Sequence, residues 1–128
     1  MIVDSSAVVA VFRQEPGYEE IERTIREADA VEIGAPTLFE CVIVVGRAEG
    51  EEGIAALSHL ILDLGIEVVP FDEPHVDTAT EAFIGYGKGR HPARLNYGDC
   101  MTYAIARWSG RPLLYTGDDF AQTDIQAA

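Results

Sequence analysis

The 128-residue sequence contains few cysteines, few basic residues and no long apolar run. Its two cysteines, Cys41 and Cys100, are too few for a disulfide scaffold and lack the paired spacing of a zinc site, which predicts buried, reduced thiols. The densest apolar run, Cys41 to Val45, is too short to span a bilayer. The apolar N-terminus lacks the preceding basic residue of a secretory signal. We therefore expect a cytoplasmic protein with no membrane association.

Positive charge is also scarce. Nine Lys and Arg residues stand against 22 Asp and Glu residues, giving a net charge of −13. This charge repels nucleic acid and anionic membranes, so any contact with nucleic acid must be local. The hydrophobic share of 48% and the charged share of 24% are ordinary for a globular chain and exclude disordered, collagen-like and coiled-coil classes. Without internal repeats or linkers, the sequence predicts a single domain over residues 1–128.

Short runs of β-branched or aromatic residues alternate with longer segments of helical period. Buried strands are predicted at Ile2–Val3, Val31–Ile33, Val68–Val69 and Leu113–Tyr115. Helices are predicted at 18–27, 37–49, 53–64, 73–86 and 97–109, with a further helix after the first strand that Ser5 or Ser6 can cap. Strands separated by helices predict an α/β fold, with a parallel sheet covered on both faces and ligands at the carboxyl ends of its strands.

Acidic residues from distant parts of the chain are expected at that edge of the sheet. Asp4 ends the first strand, and Glu40 is the only charge in LFECVIVV. Asp99 lies in the first turn of the helix at LNYGDC, and Asp118 and Asp119 follow the last strand. Taken alone, Asp99 or Asp119 is simply a helix cap. Gathered carboxylates repel one another unless a divalent cation neutralises them, and oxygen ligands favour Mg²⁺ or Mn²⁺, so together they predict a metal site.

Four segments of the sequence carry a resemblance to a known family. They are MIVDSSAVVAVF, PTLFE, LNYGDCMTYAIA and PLLYTGDDFAQTDI. In this order, over nearly the full length, they resemble a PIN domain, specifically a VapC-type toxin ribonuclease of the type II VapBC toxin–antitoxin systems. The resemblance implies a three-layer α/β/α sandwich with a mainly parallel central sheet, homodimers and Mg²⁺-dependent RNA cleavage. It also implies inhibition by a VapB-type antitoxin, in a heterotetramer or larger complex.

The acidic positions of the family carry over to Asp4, Glu40, Asp99 and Asp118, with Asp119 as a cap or supporting group. Phosphodiester hydrolysis needs charge stabilisation and a nucleophile, which bound metal ions supply. We expect Asp4 and Asp99 to be metal ligands. Glu40 is expected to bind the metal through water or to orient the attacking water. Asp118 would complete the ring, at a second, weaker metal position.

Residues outside the acids have supporting roles in this hypothesis. The acid-free stretch GKGRHPARLN contains Lys88, Arg90 and Arg94 and leads into the helix of Asp99, which predicts a flexible cationic arm for RNA phosphates. A merely solvated loop is the alternative. The hydroxyls of Ser6 and Thr116 are candidates for hydrogen bonds to water or carboxylate, although backbone capping is the simpler interpretation.

Aromatic and apolar side chains suggest protein contacts. Tyr97, Tyr103 and Trp108 follow helical spacing, which favours core or dimer packing over base stacking. For the antitoxin we expect a basic tail that folds onto an apolar groove between the helices at 18–27 and 37–49. The floor of this groove would consist of Ile21, Ile25, Leu38 and Val42.

Other function classes remain open at this point. A phosphoaspartyl enzyme or receiver domain needs a lysine near its phosphate, and the only lysine, Lys88, lies in a predicted loop. A dehalogenase-like phosphatase would carry a second Asp where Ser6 stands. A non-catalytic or differently specific metal-binding module would explain the acidity but leaves Glu40 unexplained.

Overall fold

The computed structural model describes residues 1–128 and contains one parallel sheet. Its strands, in the spatial order β3-β2-β1-β4, are β1 (Ile2–Val3), β2 (Glu32–Gly34), β3 (Glu67–Val69) and β4 (Leu113–Leu114). The helices are α1 (Ser5–Arg13), α2 (Tyr18–Glu27), α3 (Ala35–Asp63), α4 (Glu73–Tyr86) and α5 (Tyr97–Ser109), followed by a 3₁₀ turn at Phe120–Gln122. The predicted α/β fold is confirmed.

Alternating residues of the short central strands build two separate cores. Ile2 and Leu113 pack with side chains of α4 and α5, whereas Val3 and Leu114 pack with side chains of α1, α2 and α3. Successive strand residues point to opposite faces, so β1 and β4 each contribute to both cores. The sheet is therefore the middle layer of the expected α/β/α sandwich.

Helix α3 joins two segments that the sequence predicts as separate helices. The break between them is present as a kink at Gly50, whose backbone has φ 68° and ψ −158°. A residue with a Cβ rarely adopts this conformation, and glycine does so without steric cost. The predicted interruption is thus correct in position, while helical structure continues on both sides of it.

Other local predictions need correction. Strand β3 is not buried, since it lies at the edge of the sheet and Val68 is 49% exposed. Asp4, and neither Ser5 nor Ser6, is the N-cap of α1. Tyr97 and Trp108 are exposed at 83% and 60%, so they are not part of the core.

The prediction of buried, free thiols is confirmed, because Cys41 and Cys100 are both buried and unbonded. Each follows a site acid in sequence and points into a core instead. None of the helices combines the length and the apolar character required to cross a membrane.

Candidate active site

Asp4 lies where β1 passes into α1, and its carboxylate is held by the first turn of that helix. The side chain is only 4% exposed. Its Oδ2 accepts hydrogen bonds from the Ser6 amide at 3.0 Å and from the Ser6 hydroxyl at 2.6 Å. The same Ser6 Oγ accepts a bond from the Thr116 amide at 3.0 Å. Ser6 therefore joins Asp4 to the segment that follows β4, and Thr116 takes part through its backbone.

Glu40 lies in the second turn of α3, close to the N-terminus of α5. A Cβ added to Gly98 would lie 2.7 Å from Glu40 Oε2 and 3.0 Å from Oε1, so glycine allows this close approach. Burial raises the pKa of Glu40, the charge of Asp4 raises it further, and a hydrogen bond from Ser5 partly offsets both effects. The only charge in its apolar segment thus faces another carboxylate and has no basic partner.

Asp99 forms a capping box at the start of α5. Its amide donates to Asn96 Oδ1 at 2.9 Å, and its own Oδ2 accepts from the Asn96 amide at 2.9 Å. The pKa of Asp99 is raised to about 6, mainly by burial, and the charges of Asp4, Asp119 and Glu40 add to the increase. The hydrogen bond from the Asn96 amide acts in the opposite direction and lowers this pKa. Asp99 is thus both the expected cap and a member of an acidic cluster.

The two acids after β4 differ in their relation to this cluster. Asp119 begins the 3₁₀ turn without making a side-chain capping bond, and its charge is one of those that raise the pKa of Asp99. Asp118 is not among the charges that do so. The structure therefore couples Asp119 more closely to the cluster. The family resemblance pointed to Asp118, and the sequence did not reveal the 3₁₀ turn that begins after Asp119.

The acid cluster, defined as Asp4, Glu40, Asp99 and Asp119, contains no ion pair with Lys or Arg. Its oxygen donors and uncompensated charge match a hard divalent cation. However, no three His, Cys, Asp or Glu side chains are positioned to hold a metal ion together. The donor chemistry fits such an ion, while the ligand positions do not yet converge.

The basic loop, residues 88–94, contains basic side chains that form no ion pair. Five arginines elsewhere pair with carboxylates, whereas Lys88, Arg90 and Arg94 do not. The loop is closed by bonds from the Lys88 amide to the Leu95 carbonyl and from the Leu95 amide to the Tyr86 carbonyl. It is a hydrogen-bonded loop that lines an acid-free pocket, and its role as a flexible cationic arm for RNA stays a prediction.

The sequence of this chain matches a known protein family. The family described as PIN domain matches residues 1–126. Ribonuclease VapC36 of Mycobacterium tuberculosis is 42% identical over 127 residues, which cover 98% of this chain and 91% of the relative.

Solved structures with low sequence identity share the fold. The crystal structure of VapC20 from Mycobacterium tuberculosis, described as a sarcin-ricin loop cleaving toxin, has a TM-score of 0.78 at 18% identity and covers 99% of this chain and 97% of its own. VapBC2 from Rickettsia felis, bound to a DNA fragment from its promoter, has a TM-score of 0.78 at 12% identity, with 98% and 94% covered. Because the PIN-domain family matches residues 1–126 and the sequence relatives are named VapC ribonucleases, the chain belongs to the PIN-domain family.

Proposed function

We propose that this protein is a Mg²⁺-dependent endoribonuclease and the toxin of a type II toxin–antitoxin system. The observation that carries the proposal is the acid cluster, in which burial and then the charges of neighbouring carboxylates raise the pKa of Glu40 and of Asp99, and no basic partner is present. The names of its VapC relatives support RNA as the substrate. Phosphodiester hydrolysis is the chemistry for which such a carboxylate cluster is suited.

The hydrogen bonds and contacts of the carboxylates support a separate role for each of Asp4, Asp99 and Glu40. Asp4 and Asp99 each use Oδ2 for a bond within the protein, which leaves Oδ1 available as a metal ligand. Glu40 binds through water or orients the attacking water, since its carboxylate lies over Gly98 beside Asp99. A bound Mg²⁺, for which Mn²⁺ substitutes, would stabilise charge on the phosphoryl oxygens and lower the pKa of a water ligand.

The fourth acid is the least constrained position of the site. The family resemblance assigned it to Asp118, and that assignment stays a prediction. The charge that reaches Asp99 is that of Asp119, which makes no capping bond that would occupy its side chain. We therefore propose Asp119 for this role and test both residues.

The experiment that tests the function compares RNA cleavage with and without metal. Purified protein incubated with structured cellular RNAs should give discrete cuts in Mg²⁺ or Mn²⁺ and none in EDTA. Equal cleavage in EDTA would contradict the metal dependence. Metal binding without any RNA cleavage would favour the non-catalytic metal-binding module.

The unpaired arginines of the basic loop should contact RNA phosphates. In the double variant Arg90→Ala, Arg94→Ala, we expect weaker binding across RNA sequences and a salt slope reduced by up to about 0.7 for each phosphate that is no longer bound, the single-strand value. The measurement is RNA affinity at several salt concentrations. Arg47→Ala is the matched control, because Arg47 is also exposed and unpaired but lies in α3. An equal decrease in RNA affinity in this control would mean that the loop contributes only nonspecific electrostatic attraction.

The partner we propose is a VapB-type antitoxin with a basic tail. An arginine placed among the site acids would pair with carboxylate oxygens and compete with Mg²⁺. The groove expected between α2 and α3 is altered in one respect, since Ile25 is buried in the core while Ile21, Leu38 and Val42 are half-buried. Phe39, next to Glu40, is 63% exposed and adds an apolar contact beside the site.

Antitoxin binding should weaken as Mg²⁺ is titrated into the complex. Phe39→Ser should also lower the affinity, whereas Leu62→Ser, at another exposed apolar side chain near the other end of α3, should not. Calorimetry of the purified pair measures both effects. Binding that responds neither to Mg²⁺ nor to Phe39→Ser would place the inhibitor elsewhere. The proposed homodimer, and a heterotetramer or larger complex with antitoxin, are tested by mass in solution.

A further inference from the structure

Tyr103 of α5 binds a residue of the segment that follows the 3₁₀ turn. Its hydroxyl donates to Asp124 Oδ1 at 2.6 Å, and only 6% of the tyrosine is exposed. This bond lowers the pKa of Asp124, while burial and the same bond raise the pKa of Tyr103, so at neutral pH the phenol donates and the carboxylate accepts. Arg107 also approaches Asp124, at 3.6 Å, but both side chains of this ion pair are exposed, and such pairs contribute little. The bond from Tyr103 is therefore the stronger link between α5 and this segment.

Tyr103 lies one turn of α5 after Asp99. Residues four positions apart share a helix face, so the phenol follows the site carboxylate along one side of α5. The segment after β4 comes close to α5 at both residues, because Tyr103 binds Asp124 and the charge of Asp119 acts on Asp99. One face of α5 thus serves both the acid cluster and the bond to Asp124.

The residues between Asp119 and Asp124 are fixed to one another. Phe120 is 2% exposed and packs in the same core as Tyr103. The Thr123 hydroxyl donates to the Phe120 carbonyl at 2.7 Å, and the Thr123 amide donates to the same oxygen at 3.0 Å. A displacement of Asp124 would therefore be transmitted through Thr123 and Phe120 to Asp119.

The segment returns to the sheet beyond Asp124. The Leu113 amide donates to the Gln126 carbonyl, and the Ala128 amide donates to the Leu113 carbonyl, each at 2.9 Å. Leu113 belongs to β4, so residues 115–125 form a loop that leaves β4 and comes back to it. The two ends of this loop are fixed at the sheet, and the bond to Tyr103 fixes it on α5 between them.

We propose that Tyr103 and Asp124 are positioning residues, whose bond holds Asp119 near Asp99 in the arrangement that metal binding and RNA cleavage require. The inference rests on the proposed ribonuclease function and on the proposed role of Asp119 in it. Both residues act through Asp119 and contact neither the metal nor the RNA. The alternative is a bond that only stabilises the fold.

The test measures Mn²⁺ affinity by calorimetry and the cleavage rate at saturating RNA. Tyr103→Phe removes only the hydroxyl and should lower both about 10- to 100-fold, the usual effect of losing a group that orients a metal ligand, with KM for RNA near wild type. Asp124→Ala should have the same effect, whereas Asp124→Asn, whose amide oxygen can accept from Tyr103, should retain most of both. Arg107→Gln is the matched control, because it removes only the exposed ion pair to Asp124, and it should match wild type.

A double variant tests whether the effect passes through Asp119. In an Asp119→Asn background, Tyr103→Phe should cause no further loss of Mn²⁺ affinity or cleavage. Losses that multiply would overturn the proposal, and so would wild-type values of both in Tyr103→Phe.

A further control separates positioning from general stability. Ile61→Val shortens a buried side chain in the other core, so it should lower the thermal midpoint and leave Mn²⁺ affinity and cleavage unchanged. If it lowers them as Tyr103→Phe does, the bond only stabilises the fold and the proposal is wrong. Mn²⁺ affinity that depends on Tyr103 in a protein that cleaves no RNA would retain the positioning role and reject the ribonuclease function. Cleavage that does not depend on Tyr103 would do the reverse.

Discussion

RNA cleavage by Asp99→Asn and by Asp4→Asn should fall at least about 100-fold, because each change removes a charge that the metal site needs. Asparagine keeps the shape of the side chain and remains a good helix cap, so the hydrogen bonds at the starts of α1 and α5 can persist. The measurement is the single-turnover rate at saturating RNA, together with Mn²⁺ affinity. Cleavage at the wild-type rate in either variant would remove that residue from the site.

Stability provides an independent readout of the same acids. A carboxyl whose pKa is about 6 in the folded protein and 3.8 when unfolded binds more protons in the folded state between these values. The free energy of unfolding of the metal-free protein therefore decreases as the pH rises from about 4 to 7. Metal-free Asp99→Asn should be more stable than wild type at pH 7 by about 1–2 kcal/mol, which is less than the full linkage value because Asp99 is only half-buried.

Asp118 and Asp119 form a natural matched pair within this experiment. Asp119→Asn should lower cleavage and lower the pKa of Asp99, since its charge is one of the causes of that increase. Asp118→Asn should change neither to the same extent. A larger effect of Asp118→Asn than of Asp119→Asn would assign the fourth site position to Asp118.

Gly98→Ala should reduce cleavage at least about 10-fold while the protein stays folded, since small displacements within a site cost this much or more. The new methyl group would lie 2.7 Å from Glu40 Oε2, so the Glu40 carboxylate must move. Such a movement is easy for the end of a flexible side chain but harmful to a group that positions water. The measurements are the cleavage rate and the thermal midpoint.

The control for this substitution is Gly85→Ala in α4. Nothing lies within 4 Å of a Cβ at Gly85, and the residue is within a helix. Alanine there should leave cleavage unchanged and add about 0.5–1 kcal/mol of stability. If Gly98→Ala cleaves RNA as fast as Gly85→Ala, the position of Glu40 is not important for the reaction.

Features that depend only on the order of elements along the chain could be predicted from the sequence. The carboxyl ends of parallel strands share one edge, so Asp4 and the acids after β4 could be assigned to it from their positions in the chain. The same reasoning could not choose between Asp118 and Asp119. Their directions depend on the turn that follows Gly117, whose φ is 80°, and on the 3₁₀ turn after it.

Other features depended on spatial neighbours that the sequence does not specify. The exposure of β3 follows from its position at the sheet edge, and short apolar runs carry no information about strand order. Tyr97 follows helical spacing, yet it lies at the open end of α5, where no element covers it. The approach of Glu40 to Gly98 requires α3 and α5 to be adjacent, which only the packed fold determines.

The bond between Ser6 and Thr116 joins residues 110 positions apart, and it has a consequence for the timing of activity. The acids of the cluster lie at the end of β1, in α3, in α5 and after β4, so no single element of the chain contains the whole cluster. A growing polypeptide lacks Asp119, and with it the complete cluster, until the segment after β4 has been synthesised. The proposed ribonuclease would therefore gain its complete site only after β4 and the segment beyond it have been synthesised and have folded onto β1.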